Sequence, residues 1–194
     1  MNILTEKLPD SVFVEGKEYP VNTDFRVWIR LALMLDRKDI PAEEKFFGAC
    51  RLCFDFERKK ELPDNFKSTV EALVSFFTEG NNTEKSQNNQ SADNRVYDFS
   101  CDSGYIYAAF LECYGIDLIR IEQLHWFSFS ALFKALPKSC KMVEIMMYRG
   151  ADISKLSGEE KKYYSEMKEL YALPDNRTRE EKDSAIVECF ETLF

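Results

Sequence analysis

Apolar residues recur at helical spacing along most of this 194-residue chain, which predicts a mainly α-helical protein. The first predicted helix, 23–35, is apolar on two adjoining faces and should therefore lie at the centre of a core. In the third, Phe66, Val70, Leu73 and Phe77 lie along one side. The predicted helices span 23–35, 41–56, 63–77, 105–114, 121–136, 138–149, 157–173 and 178–193.

The N-terminal region has a different pattern, typical of a short β-hairpin. Apolar residues 12–14 precede Gly16, and residues 19–21 follow it, so the turn is predicted around Gly16. Asn22 or Thr23 is expected to cap the first helix. Ser157 begins a Ser-Gly-Glu-Glu sequence that is typical of a capping box, and Tyr163 or Tyr164, Met167, Leu170 and Tyr171 are expected to line the inner face of that helix.

Residues 80–95 interrupt the helical pattern. Ala92 is the only apolar residue in this segment, which therefore buries too little surface to offset the entropy of ordering and is predicted to be a flexible linker. The predicted fold is all-α, a helical bundle in two subdomains with a small N-terminal β-hairpin. The first subdomain comprises residues 1–79 and the second 96–194, and the sequence leaves open whether they pack together.

Composition narrows the functional classes. The chain has 26 Lys and Arg against 34 Asp and Glu, a net charge of −8, which argues against a nucleic-acid partner. Its longest purely apolar run, 31–35, is too short to span a membrane, and no secretion signal is recognisable, so a cytoplasmic protein is expected. The chain has only seven Gly, which indicates few breaks and therefore long helices. Its sixteen Phe indicate bulky packing surfaces.

Few residues suggest catalysis or metal binding, and we expect a non-enzymatic protein without cofactor or metal. The single histidine, His125, is expected to pack inside helix 121–136. The six cysteines are interpreted as small buried apolar residues, including the Cys50-x-x-Cys53 pair, for which a redox role is the alternative. Asp98 and Asp102 are interpreted as helix caps. With Glu112, they are alternatively an acidic metal or acid–base cluster.

A set of aromatic and methionine residues in the second half is the candidate partner-binding surface. Such side chains form adaptable grooves for amphipathic helices. The alternative is that most of them belong to the core. The candidate residues are Tyr105, Tyr107, Trp126, Phe129, Met146 and Met147.

The second half also resembles a known family. The resemblance extends over residues 97–174, whereas the N-terminal hairpin and first helix match only in plan. The motifs are Tyr97-Asp98-Phe99, Tyr105-Ile106-Tyr107-Ala108-Ala109-Phe110, Tyr114-Gly115-Ile116-Asp117-Leu118, Leu124-His125-Trp126, Ala131-Leu132-Phe133, Tyr148-Arg149 and Tyr171-Ala172-Leu173-Pro174. In these motifs the chain resembles the bacteriophage gene-product-fifteen family of small tailed-phage and prophage proteins.

The resemblance implies a role in phage tail assembly. Genes of this family usually lie between those of the major tail protein and the tape-measure protein, which suggests a tail-assembly chaperone. The implied partners are the tape-measure protein and the tail-tube protein, with homo-oligomers as a further expectation and no nucleic acid or membrane. A minor structural protein of the virion is the alternative. The family has no established catalytic residues, so the resemblance assigns none to this chain.

Overall fold

The computed structural model describes residues 4–79 and 95–174. These residues contain seven α-helices and one β-hairpin. This confirms the predicted all-α class with a small N-terminal hairpin. The chain divides after Gly150 into two compact units. The strands are β1 (Ser11–Val14) and β2 (Lys17–Pro20), and the helices are α1 (Phe25–Asp36), α2 (Ala42–Cys53), α3 (Phe66–Phe77), α4 (Ser103–Tyr114), α5 (Trp126–Lys134), α6 (Lys141–Gly150) and α7 (Gly158–Leu170).

The hairpin forms where the sequence predicts it. Its two strands are antiparallel, with Val12 opposite Tyr19, and both of these side chains are buried. The turn residues Glu15 and Gly16 have φ values of 51° and 78°. Positive φ at both central residues is the geometry of a two-residue turn that matches the twist of the strands, and glycine accommodates it without strain.

The extended segment 20–25 links parts of the chain that are far apart in sequence. The Asn22 N–H donates to the Cys53 carbonyl at 2.7 Å, at the end of α2. The Phe25 N–H donates to the Leu124 carbonyl at 2.9 Å, immediately before α5. The start of α1 is therefore held between the two halves of the sequence.

Aromatic rings from both halves form one core. Phe129 of α5 stacks on Phe25 of α1 at 4.8 Å and on Phe110 of α4 at 4.9 Å between ring centroids. Trp28 stacks on Phe76 of α3 at 4.6 Å. The sequence left open whether its halves pack together, and these contacts show that they do for the part of the second half that precedes Ala151.

The predicted linker, 80–95, lies almost wholly outside the described residues, and so the division into two subdomains there stays a prediction. Only its last residue, Arg95, is described. The guanidinium of Arg95 lies 3.6 Å from the Asp36 carboxylate and 3.3 Å from that of Asp98. Arg95 thus joins the end of α1 to the turn before α4.

Helix α5 begins at Trp126, five residues later than predicted. The predicted first turn is instead part of a loop that α1 holds in place, because the Arg26 guanidinium donates to the carbonyls of Leu118 and Ile121, each at 2.8 Å. A contact between residues so far apart in sequence leaves no local signal. Helical periodicity alone therefore predicted too long a helix.

The predicted helix caps also needed correction. Neither Asn22 nor Thr23 caps α1; the Asp24 carboxylate does, by accepting from the Arg26 N–H at 2.9 Å. Thr23 is buried, and its hydroxyl accepts from the Gln123 side chain. Asn22, Thr23 and Asp24 are adjacent polar residues, and their position in the sequence alone did not show which of them caps the helix.

The second compact unit contains α7, which follows a short 3-10 helix at Ile153–Lys155. The capping box predicted at Ser157 does not form, since the Ser157 side chain makes no capping hydrogen bond. No α7 residue is fully buried, but Tyr164, Met167 and Tyr171 of the predicted inner face are half-buried, whereas Leu170 is 66% exposed. The helix predicted over 178–193 lies outside the described residues.

Candidate functional site: an apolar groove

The described residues form an apolar groove between α1, α2 and α3, with a volume of about 240 Å³. All three helices contribute to it, and nearly every lining side chain is aliphatic or aromatic. The lining residues are Leu31 and Leu35 from α1, Ala42, Lys45, Phe46 and Ala49 from α2, and Phe66, Val70, Leu73, Val74 and Phe77 from α3.

The groove has a buried floor and exposed walls. Leu31 and Leu73 form the floor, and both are almost inaccessible to solvent. The walls include Leu35, Phe66 and Val74, which are 47%, 55% and 44% exposed. An exposed apolar residue on its own is ordinary, but a contiguous set of them around a concavity is typical of an interaction site.

Helix α3 creates this arrangement because it is apolar on more than one face. Thr69, Leu73 and Phe76 are its buried residues, and Phe76 stacks on Trp28 in the core. A neighbouring stripe, with Val70 and Val74, turns towards the groove. The predicted α3 stripe, Phe66 to Phe77, is this groove-lining face. At 1.5 Å per residue it is about 16 Å long, or roughly three helical turns.

Close packing of α1 and α2 forms the opposite side. Gly48 of α2 faces Met34 of α1 so closely that a Cβ there would lie 2.6 Å from the Met34 sulfur. The Lys45 ammonium donates to the Leu35 carbonyl at 2.7 Å, at the end of α1. The Phe46 ring then reaches Phe66 of α3, with ring centroids 4.4 Å apart.

The lining limits what the groove can bind. Small-molecule sites combine volumes of roughly 300–1,000 Å³ with several convergent polar groups. This groove is smaller, and its single charged residue, Lys45, is already hydrogen-bonded to the backbone. A surface of this kind suits a few large apolar side chains from the face of an amphipathic helix.

Two of the six predicted partner-binding residues, Trp126 and Phe129, lie in the core. The Trp126 indole stacks on Phe77 at 5.1 Å, and its N–H donates to the Phe77 carbonyl at 2.9 Å. Phe129 stacks between rings of α1 and α4. Their burial removes both residues from any surface that a partner could contact in this structure.

The other four predicted residues lie on α4 and α6, which pack against each other. Tyr105 and Met147 are exposed, and Tyr107 and Met146 are half-buried. These four remain a predicted second contact surface, which we call the α4–α6 patch.

A comparison with models of protein families shows to which family this chain belongs. A family model described as bacteriophage Gp15 protein matches residues 4–173, nearly the whole chain. The chain belongs to the bacteriophage Gp15 protein family. The match extends the recognised resemblance from residues 97–174 to the N-terminal half that carries the groove. No curated protein and no solved structure matches this sequence.

The acidic residues singled out in this Gp15-family protein have structural roles. Asp102 does not cap α4 through its side chain; it is 1% exposed and forms a two-pronged ion pair with Arg149 of α6, at 2.6 and 2.9 Å. Asp98 accepts hydrogen bonds from the N–H groups of Ser100 and Cys101, which lie in the turn before α4, so it stabilises that turn and does not cap the helix as predicted. Among residues 4–79 and 95–174, no group of acidic, His and Cys residues is arranged to hold a metal ion.

His125 caps α5 rather than packing inside it. Its Nδ1 accepts from the Phe127 N–H at 3.1 Å, which leaves Nε2–H to donate to the Pro9 carbonyl at 2.9 Å. The bond at Nδ1 requires the neutral ring, because a protonated Nδ1 cannot accept. Burial lowers the pKa of His125, although the Pro9 carbonyl and the Asp10 carboxylate act in the opposite direction.

The Cys50-x-x-Cys53 pair is buried inside α2, where it behaves as the small apolar residues predicted. Burial raises the pKa of the Cys50 thiol to about 11 and that of Cys53 to about 12. Thiolates are therefore scarce at neutral pH, which does not suit redox chemistry. Cys101, by contrast, is exposed, and Cys189 lies outside the described residues.

The described helices include none that is both long enough and apolar enough to cross a membrane.

Proposed function

We propose that this Gp15-family protein is a non-enzymatic tail-assembly chaperone that binds helical segments of the phage tape-measure protein in the groove. The observation that supports this most is an exposed, almost wholly apolar concavity about three helical turns long. It would act in the cytoplasm of the bacterial host, before the tail is complete. The tail-tube protein is a possible second partner.

The proposed mechanism is weak, reversible capture. Complete burial of a large apolar side chain contributes about 1.5–3 kcal/mol, and a groove of about 240 Å³ accepts only a few such side chains. Association itself costs roughly 4–15 kcal/mol in lost freedom, so a single groove should hold its client only loosely. Loose binding suits a chaperone, because the client must be released when tail-tube subunits arrive.

Several copies on one client would compensate for this weakness. The tape-measure protein offers repeated helical segments, and linked binding events raise overall affinity without new contacts. A homo-oligomer of the chaperone would have the same effect. The α4–α6 patch, with Tyr105, Tyr107, Met146 and Met147, is proposed as an additional contact for the client or for a second copy.

Co-expression with a tape-measure protein from the same phage or prophage tests the proposal. The soluble fraction of the tape-measure protein should rise when the wild-type chain is present, and the two should purify together. Val74→Asp places a charge in the groove wall and should abolish both effects, because a partner side chain would have to bury that carboxylate.

Leu111→Asp is the matched control. Leu111 and Val74 are both 44% exposed and both lie on helices, but Leu111 is on α4, away from the groove. This variant should retain capture. Equal capture by both variants would disprove the groove as the client site, and Met147→Asp would then test the α4–α6 patch.

Virion composition separates this proposal from the alternative of a minor structural protein. A chaperone should be absent from purified phage particles or present only in trace amounts. Stoichiometric amounts in particles, measured by quantitative mass spectrometry, would contradict the chaperone proposal.

A further inference from the structure

The only charged side chain that lines the apolar groove, that of Lys45, places its cation at the edge of the groove. The surface inside the groove is almost wholly apolar, so Lys45 lines it with the aliphatic part of its side chain. The ammonium reaches the last turn of α1, where it donates to the Leu35 carbonyl at 2.7 Å. The groove therefore combines an apolar interior with one cation at its rim.

The Lys45 ammonium can still bind a carboxylate. An ammonium has three N–H donors, and within residues 4–79 and 95–174 the bond to the α1 carbonyl is the only hydrogen bond of this side chain. Lys45 forms no ion pair with a described residue. The carboxylates that follow α1 have other cations, since Asp36 lies 3.6 Å from Arg95 and Asp39 pairs with Arg37. Two of the three donors therefore remain for a ligand.

We propose that Lys45 determines the specificity of the groove by selecting helices that carry a carboxylate one turn beyond their apolar stripe. This inference rests on the proposed function, because it names the chemistry of the client helix. A helix with its apolar face in the groove would bring such a Glu or Asp side chain to the rim. The resulting hydrogen bond is charge-assisted and roughly twice as strong as one between neutral groups.

The surroundings of Lys45 favour a measurable contribution from this pair. Lys45 is half-buried, and its ammonium is already held by the Leu35 carbonyl, so water screens it less and less side-chain entropy is lost on binding. Lys67 of α3 is the opposite case, because its side chain is 85% exposed and lies 3.9 Å from the Glu71 carboxylate. Only Lys45 is therefore expected to discriminate between clients.

The charge of the whole chain does not produce the same preference. With a net charge of −8, the protein as a whole repels an acidic helix. A preference for a carboxylate must therefore come from a local contact, and Lys45 is the charged residue in the groove lining.

Two synthetic amphipathic helical peptides test the proposal. Both carry the same stripe of leucines, and one has Glu and the other Gln one turn beyond each end of that stripe. Their affinities for the full chain are measured by isothermal titration calorimetry. At low salt the wild type should bind the Glu peptide about fivefold more tightly than the Gln peptide. The preference should shrink at about 0.5 M NaCl, because salt screens an ion pair at the rim.

Three variants locate the effect. Lys45→Met keeps the aliphatic part of the side chain, removes the ammonium and should bind both peptides equally. Lys45→Arg keeps the charge and should retain the preference. Lys67→Met removes the same charge from outside the groove lining and should retain it as well. Helical circular dichroism checks that Lys45→Met folds without its bond to Leu35, and the comparison of the two peptides on the wild type needs no variant.

The outcomes separate this inference from the proposed function. Equal affinity of the wild type for both peptides would overturn the role of Lys45, as would a preference for Glu that persists in Lys45→Met. If Val74→Asp still abolishes binding in those cases, the groove stands as the binding site. If neither peptide binds the wild type, or if Val74→Asp binds as well as the wild type, the groove is not the client site and the inference falls with it.

Discussion

The aromatic segment 121–136 and helix α3 differ in how their apolar residues are used. The aromatic segment is the richer of the two, yet its largest side chains, Trp126 and Phe129, are buried by rings from α1, α3 and α4. Helix α3 is less conspicuous, yet it leaves Val70 and Val74 exposed in the groove. Exposure therefore depends on whether the rest of the fold covers a stripe, and local apolar density does not reveal it.

The difference has a geometric cause. Phe129 lies where rings of α1 and α4 approach from two sides, so each new neighbour removes more of its surface from water. On α3, one apolar stripe faces the core and an adjoining one faces outward. No described element covers that second stripe, and Val70 and Val74 stay exposed there.

Trp126→Ala should have the largest effect and tests the assignment of this residue to the core. Loss of a buried aromatic side chain costs about 3–5 kcal/mol, and here a hydrogen bond to the Phe77 carbonyl is lost as well. Urea unfolding monitored by helical circular dichroism measures the change. If the free energy of unfolding fell by less than about 1 kcal/mol and client capture were lost, Trp126 would belong to the binding surface and not to the core.

Arg149→Met tests how strongly the second half is held by its buried ion pair. Removal of the guanidinium leaves the Asp102 carboxylate buried without its partner, and about 3 kcal/mol of stability should be lost. On the groove helix, Lys67→Met breaks an exposed pair with Glu71 and should cost at most about 0.5 kcal/mol. Similar costs for both variants, measured by urea unfolding, would contradict this contrast.

Val74→Asp should affect binding more than folding. Because Val74 is 44% exposed, the substitution should lower the free energy of unfolding by less than about 1 kcal/mol. It should nevertheless reduce the fluorescence of an environment-sensitive apolar dye, because such a dye adsorbs on contiguous exposed apolar surface of the kind that forms the groove walls. The equally exposed Leu111→Asp should leave dye binding unchanged, and equal loss in both variants would count against the groove.

The smallest effect expected is that of pH through His125. Burial lowers its pKa below the ordinary value of about 6.5, so the unfolded chain binds a proton first as the pH falls. Stability from this residue is complete above about pH 6.5 and declines as the pH falls towards the folded pKa. His125→Asn keeps a cap acceptor without this titration. Its urea midpoint should change less than that of the wild type between pH 7 and pH 5, and parallel curves would contradict the assignment.

The pattern of apolar residues was sufficient for the secondary structure because helical and strand periodicities are local properties. It predicted the hairpin turn at Gly16 and every described α-helix, and it identified the stripe from Phe66 to Phe77 that lines the groove. Family membership was also recoverable from the sequence, since many residues in fixed order are highly specific.

Cap identities and helix starts were less accessible, because distant residues decide them. Arg26 holds the loop before α5 through the carbonyls of Leu118 and Ile121, which are far away in sequence. The ion pair between Asp102 and Arg149 likewise depends on two helices meeting, so the sequence alone suggested a helix cap or an acidic cluster for Asp102 and not this pair.

What the sequence by itself determined is the helical class, the turn and the family; what only the tertiary structure decided is which apolar faces are covered. Each stripe is encoded within one helix, but its burial depends on neighbours brought from elsewhere in the chain. For that reason Trp126 became part of the core, and the outward stripe of α3 became one wall of a groove.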